Sequence, residues 1–393
     1  MIYPWRGKTI PVLLWILAAC PLAGATYTWT GGSGGGGDAW RQANNWQPSP
    51  GQGGPSVGDL AIFSAKGTST AIGIHFNDGR GLIAAVGAII LQEGPSRSII
   101  NSSPGTVGTL RLDGAKGLLL ANDSSSSTLA LSNAAKSAMV VHFASGGEIR
   151  VASKSASVVL AGETKGKQGF DKTGEGSLRL IRSNSLSGSV VVSAGTLELA
   201  STAGHALGSI AGLRLETGAT ARLVGADQLG DSTELVLAGG TFRGAEGPAP
   251  VVERLGVLTL NSDSTIDLGA SHLRLADSSA VHWVPSSTLT ITSWGSAGSG
   301  DAGRLFFGIG GLTSTQLAQV YFADFGIRGA QLVGPCGELM PIPEAPVAAA
   351  AAALVGFIVW RERRRLLRAV QQRLALRVGV SARPADRHHS ADG

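Results

Sequence analysis

Residues 169–199 read GFDKTGEGSLRLIRSNSLSGSVVVSAGTLEL, and the alternation within them decides the fold class. Leu178 and Leu180, Val190 and Val192, and Leu197 and Leu199 are apolar pairs two residues apart, the period of a strand with one buried face. Gly174, Gly176, Gly188 and Gly195 stand between the pairs together with Ser and Asn. These residue types supply positive φ and side-chain-to-backbone turns. The segment reads as short strands joined by tight corners.

The same pairing extends in both directions, through Leu110/Leu112, Leu213/Leu215, Leu235/Leu237, Leu258/Leu260, Ile266/Leu268, Leu273/Leu275 and Leu289/Ile291. The pairs at 178, 197, 213, 235 and 258 step by 19, 16, 22 and 23 residues. An irregular step near twenty fits the coils of a solenoid better than a sandwich. Residues 26–310 carry no convincing amphipathic helix, which argues against α/β folds. The expected body is an all-β, right-handed parallel β-helix with terminal caps. Its parts are an N-terminal cap and coils over 26–168, further coils over 169–280, and a C-terminal cap region over 281–340.

Composition agrees. The 393 residues include 57 Gly, 43% hydrophobic and only 15% charged residues, which is neither a disordered nor a collagenous profile. The net charge of +5 lies at the ends. Nine arginines against Glu362, Asp386 and Asp392 give 361–393 a net of +6, and Arg6 with Lys8 gives 1–25 a net of +2, leaving −3 on 26–360. That body offers no basic face, so nucleic acid is not an expected partner.

Both ends read as address labels. Arg6 and Lys8, the apolar run Ile10–Ala19 and the Ala23-Gly24-Ala25 site form an export signal over 1–25 for signal peptidase. The competing reading is a lipobox at Leu17-Ala18-Ala19-Cys20, with Cys20 lipidated. If Cys20 leaves with the leader, Cys336 is the one cysteine left, so no internal disulfide forms. Far downstream, Ala345–Trp360 is a run of sixteen uncharged residues followed by Arg361, Arg363, Arg364 and Arg365. A helix of that length spans ~24 Å, short of a ~30 Å hydrocarbon core. The arginines nevertheless mark a cytoplasmic flank, so a short transmembrane helix over 345–360 is expected. A basic cytoplasmic tail over 366–393 follows, with Leu366, Leu367, Val370, Leu374 and Val378 at roughly helical spacing among arginines, the pattern of an interfacial helix.

Two resemblances rest on these residues. Residues 169–199 resemble the autotransporter-associated β-strand repeat through Lys172, Thr173, Gly174, Gly176, Ser177, Leu178, Leu180, Asn184, Leu186, Gly188, Gly195, Thr196, Leu197 and Leu199. Residues 341–365 resemble the PEP-CTERM sorting signal: Pro343-Glu344, an apolar helix, then an arginine block. Ala345 stands where that signal has its second proline, and the tail is longer than the family's. The resemblance implies handling by an exosortase and delivery to the envelope or extracellular matrix; a plain single-span anchor is the alternative. Trp29, Trp40, Asn45-Trp46, Gly58-Asp59 and Phe63 resemble the opening of large exported β-helix proteins, where tryptophans would cover the first coil. Stacking on carbohydrate is the functional alternative for those rings. At the far end Thr313 and Gln316 are spaced as a capping box, and Val320-Tyr321-Phe322 reads as a final strand.

Catalytic patterns are scarce. Asp263 and Asp267 read as turn and surface residues, and His75, His142, His205, His272 and His282 stand singly. Arg179, Arg214 and Arg274 alternate with inward leucines and so point outward, with no acids expected beside them. Gly162–Gln168 falls one residue short of a phosphate loop and lacks Ser or Thr after the lysine. No cofactor, metal or catalytic residue is expected. The reading is a non-enzymatic exported structural or adhesion-type protein with extracellular polysaccharide as a potential partner; the alternative is a carbohydrate-active or glycan-binding β-helix.

Overall fold

The computed structural model describes residues 24–31, 39–51, 53–65, 70–76, 81–114, 117–134, 136–247, 250–295, 303–342, 355 and 357–365. The chain divides into one unit ending at Met340 and a second from Pro341 onward.

In the first unit the short strands fall on three faces in turn. Leu60–Phe63 belongs to sheet 1, Ala71–Ile74 to sheet 2 and Ile83–Val86 to sheet 3. The next coil returns as Ala88–Leu91, Arg97–Asn101 and Val107–Leu112, each parallel to its predecessor. Sheet 1 contains 11 strands, sheet 2 contains 12 and sheet 3 contains 5. Further along, the third position in the coil is taken by a second 5-stranded sheet, sheet 4, which includes Val251–Leu255, Ser271–Leu275 and Arg304–Phe306. This is the repeat-like, parallel β-helix type of architecture that the paired apolar residues predict.

In-register stacking converts the pairs into continuous rungs. On sheet 2, Leu129, Val158, Leu178, Leu197, Ala221, Phe242, Ile266, Ile291 and Phe322 are successive register partners, and all are buried. Each Leu, Val, Ile or Phe removed from water contributes roughly 1.5–3 kcal/mol. The spacing in the sequence needs one correction. Leu178 and Leu197, Leu213 and Leu235, and Leu235 and Leu258 are true coil partners. Leu197 and Leu213 are not, because they lie on sheets 2 and 1 respectively. Sheet 1 strands start at Leu60, Ala88, Leu118 and Gly147, so the early coils are 28 to 30 residues long. From Phe170 the starts at Ser189, Gly212, Glu234 and Leu258 shorten the step to between 19 and 24 residues.

The expectation that no acids stand beside the outward arginines is overturned for Arg179 and Arg214. Arg179 pairs with Glu198 at 3.7 Å, and Arg214 with Glu216. Arg222 then reaches both Glu198 and Glu246, while Arg243 reaches Glu246 and Asp267. The acids arrive from adjacent coils or from two or three residues further along the same coil. Gly162–Gln168 contains the strand Glu163–Gly166 and is not a phosphate loop.

An open solenoid end exposes strand edges, and the first coil is closed on each face by a different device. Over sheet 1, Trp46–Gln47 runs antiparallel to Thr26–Trp29. Over sheet 2, Ala39 bridges to Gly73. Over sheet 3, the Arg41 guanidinium donates to the carbonyls of His75 and Ile83 at 3.0 and 2.9 Å. Buried Asp59 accepts from the backbone N–H groups of Ala25 and Ser56 and from the Ser56 hydroxyl, which fixes the entry to the first strand. At the other end Thr313 and Gln316 form the predicted capping box of the short helix Ser314–Ala318. Val320–Phe322 is not the final strand: Ile327–Arg328 folds back antiparallel upon it, and Ala330–Val333 and Glu338–Pro341 follow.

Leu197→Ala is expected to cost about 2–5 kcal/mol, through lost burial and a cavity inside a rung. Arg179→Gln is expected to cost less than about 1 kcal/mol, because its ion pair is solvated. Urea denaturation of both variants checks the contrast, and comparable losses would contradict the rung as the source of stability.

Candidate functional site

The repeat motif is built around a lysine inside an apolar rung. On sheet 1, Ile89, Leu120, Ile149, Lys172, Val192, Leu215, Leu237 and Leu260 are successive register partners. Lys172 is fully buried and its Nζ donates to the carbonyls of Thr173, Gly174 and Ala194 at 2.9, 2.7 and 3.1 Å. These oxygens belong to corners of two successive coils, so the side chain ties one corner to the next. Burial lowers the Lys172 pKa to about 8, since desolvation penalises the ammonium and the charge of Glu175 only partly offsets it.

The other motif residues shape the same corners. Gly174 and Gly195 both have positive φ, +73° and +66°, and a Cβ on Gly195 would lie 2.5 Å from the Gly174 carbonyl oxygen. Only glycine allows the two corners to approach so closely. Gly176 lies in the same corner, while Gly188, also at positive φ, lies at a different one, before the strand Ser189–Val192 and against Gln168 and Gly169. The Thr173 hydroxyl donates to Glu148 on the preceding coil. Thr196 opens the strand that carries Leu197, and Leu178 and Leu197 stack in the sheet 2 rung.

On the third face, between Ser185–Leu186 and Val251–Leu255, strand pairing shrinks to the single parallel bridge Leu207–Leu229, and buried polar side chains take up further backbone hydrogen bonds. Asn184 accepts from Thr164 N–H at 2.7 Å and donates to the carbonyls of Arg182 and Ala206. Gln228 accepts from Ser201 N–H and donates to the carbonyls of Ser201 and Ala226. Glu253, fully buried, accepts from Gln228 N–H at 2.9 Å and Leu229 N–H at 2.7 Å. Its pKa is pushed up to about 7, chiefly by desolvation, with Asp227 and Asp231 adding repulsion against the two favourable backbone bonds.

Beside this ladder lies a cleft of about 380 Å³ lined by Ser201, Thr202, Gly204, Val224, Gly225 and Asp227 among others. Glu253 is not poised for acid–base work in it, because a group with both oxygens on backbone N–H groups and no exposed surface has no route to a substrate. Among the described residues no group of three or more His, Cys, Asp or Glu is placed to hold a metal ion. Asp267 is engaged with Arg243 and Ser293, and Asp263 accepts from Thr288 N–H.

The tryptophan cluster is a plug. Trp29, Trp40, Trp46 and Phe63 are buried, and Trp46 meets Trp29 and Trp40 edge-on at 5.0 Å each. Their faces are spent on one another, which removes them as a stacking platform for sugars. Ala25 lies at the mouth of the first strand, bonded to Asp59 and Leu60. Ala23, Pro343 and Glu344 lie outside the described residues, as do 345–354, 356 and the tail 366–393. Arg361, Arg363, Arg364 and Arg365 are exposed on a helical segment, 357–365, that continues past the expected limit at Trp360. Among the described residues no helix is long and apolar enough to cross a membrane.

Sequence patterning overlooked Glu253 and Gln228, although one signal was present. Glu253 stands two residues before inward Leu255 in VVERL, so alternation alone places it inside. Comparison with known protein families, curated proteins and solved structures finds no match.

The two buried groups predict opposite pH slopes. The folded state holds the Glu253 proton up to about pH 7 while the unfolded chain releases it near 4.5. Stability therefore falls as pH rises through that window, by up to ~3 kcal/mol, and Glu253→Gln abolishes this fall. Lys172 loses its proton near 8 when folded but near 10.5 when unfolded, so its contribution rises with pH across that interval, and Lys172→Met removes the rise. Urea denaturation across the pH range measures both slopes.

Proposed function

We propose that the chain is an exported, non-enzymatic structural or adhesion-type protein with a right-handed parallel β-helix. It is sorted to, or anchored at, the cell envelope or extracellular matrix through its C-terminal segment. The observation that carries this reading is the use to which the molecule puts its polar groups. Inside, Lys172, Asn184, Gln228 and Glu253 are spent on coil corners. Outside, the charges of sheet 2 are spent on the neighbouring coils. Such an arrangement favours a long, low-charge flank closed at both ends, suited to lateral association with matrix.

Right-handedness follows from the strong preference of parallel strand crossovers for that hand. Export is supported by the leader pattern of 1–25 and by a first strand beginning at Thr26, immediately after the Ala23-Gly24-Ala25 site. Sorting is supported by the second unit, where Phe357, Ile358, Val359 and Trp360 are exposed next to the arginine block. The Arg364 guanidinium lies over the Trp360 ring at 4.2 Å, an aromatic and cationic pairing suited to a membrane interface. Signal peptidase, an exosortase and the membrane are the partners this reading requires.

Mass spectrometry of the native protein is expected to find a mature N-terminus at Thr26; a diacylglyceryl Cys20 there would overturn the leader assignment. Membrane fractionation of wild type and Glu344→Ala is expected to show the variant retained in the membrane with an unprocessed C-terminus. Identical fractionation and identical C-terminal mass would refute exosortase handling. Release of reducing ends from a polysaccharide panel by the purified protein would refute the non-enzymatic reading.

A further inference from the structure

Sheet 2 and sheet 4 each set two arginines side by side in register, but Glu246 pairs with both Arg222 and Arg243 on sheet 2, and among the described residues the sheet 4 pair lacks such a partner. Parallel register sets Arg254 directly beside Arg274, with Phe306 next in the same row. Both arginines are exposed and Phe306 is half-buried. Like charges directly opposite in a sheet repel. Elsewhere Arg150, Arg179, Arg214, Arg222 and Arg243 each meet a carboxylate. In the parallel row of sheet 4, Arg304 is held by Glu338. Among the described residues no carboxylate pairs with Arg254 or Arg274.

Arg274 is also held in place. The Arg274 guanidinium lies over the Phe306 ring at 5.2 Å, and His272 meets that ring edge-on at 6.2 Å. A guanidinium seated on an aromatic face loses less freedom when it forms bidentate hydrogen bonds. We propose that Arg254 and Arg274 form a binding site for a carboxylated polysaccharide running along the solenoid axis. The strands that carry the two arginines lie one strand spacing apart, ~4.8 Å, and planar guanidinium forks match carboxylates bidentately. A polymer with a carboxylate on successive units engages both.

Nucleic acid is the poorer candidate, since its affinity grows with the number of phosphates neutralised and residues 26–360 carry a net charge of −3. The site deepens the matrix reading and rests on export of the solenoid, but it is independent of how the C-terminus is processed.

The test is binding of the purified full-length protein to polygalacturonate, with dextran as the uncharged control and duplex DNA as competitor. Wild type is expected to bind polygalacturonate more weakly as salt rises, and not to bind dextran. The R254Q/R274Q double variant is expected to lose about tenfold or more in affinity, whereas R179Q, which removes a paired arginine, binds as wild type does. The thermal midpoint of the double variant should stay close to that of wild type, because relief of the repulsion offsets loss of the Arg274–Phe306 contact, which separates lost binding from lost folding. Absence of wild-type binding, equal binding by the double variant, or competition by DNA at equal charge would overturn the site. Normal envelope fractionation of a double variant that fails to bind would leave the sorting reading standing, and abnormal sorting with intact binding would leave the site standing.

Discussion

Everything in the first unit depends on one constraint: each coil must lie in parallel register on the one before it. The backbone groups of every inner strand are paired above and below, so a residue's neighbours are the residues at the same position one coil away. An apolar position then reinforces itself, as it does from Leu129 to Phe322 on sheet 2. A polar or charged position must be answered by its neighbour or by the backbone. The constraint explains why so repetitive an architecture needs no exact sequence repeat. What has to recur is inward parity and a corner, and coil length can vary between them.

Corners are where this arrangement is most costly. A turn leaves carbonyls and N–H groups unpaired, and burying them without partners costs more than any one contact returns. Different side chains solve the same problem along the chain. Asn101 and Asn122 bond their own corner and the next coil. Lys172 collects three carbonyls, and Glu253 collects two N–H groups. Lys172 and Glu253 also carry a desolvation cost, which is why both pKa values move toward neutrality. The pH dependence of such a solenoid is thus set by corner chemistry rather than by its more numerous surface ion pairs, which are solvated and weak.

The same logic defines what was legible in the sequence. Inward leucine pairs announce strands because alternation is a local property, and three of the four intervals chosen from 178 to 258 prove to be real coil steps. The interval from Leu197 to Leu213 misleads because it runs from sheet 2 to sheet 1 of the next coil, across a stretch 200–211 that holds an isolated bridge at Leu207 in place of a third strand. The arginine–carboxylate ladder was invisible for a related reason: Arg179 and Glu198 are neighbours only once the 19-residue register is known. Lys172 and Glu253 had inward parity but an outward residue type, and parity prevailed because the corners offered them partners. The Trp29, Trp40 and Trp46 cluster was readable as a plug or as a sugar platform, and burial decides for the plug.

Register also determines how a charge pattern is to be interpreted. On sheet 2 the row runs Arg179, Glu198, Arg222, Arg243 and Asp267, and where Arg222 and Arg243 stand side by side Glu246 pairs with both, so the fold answers each charge itself. Two like charges in such a row are unfavourable neighbours unless a carboxylate stands between them, as Glu246 does for Arg222 and Arg243. Arg254 and Arg274 are such unfavourable neighbours on sheet 4, and the ring of Phe306 supports one of them without neutralising it. In a solenoid, then, the informative surface charges are those that neither the stacked neighbour nor a nearby side chain answers. Their charge is left over after the fold has satisfied itself, and it remains available to a ligand of opposite charge.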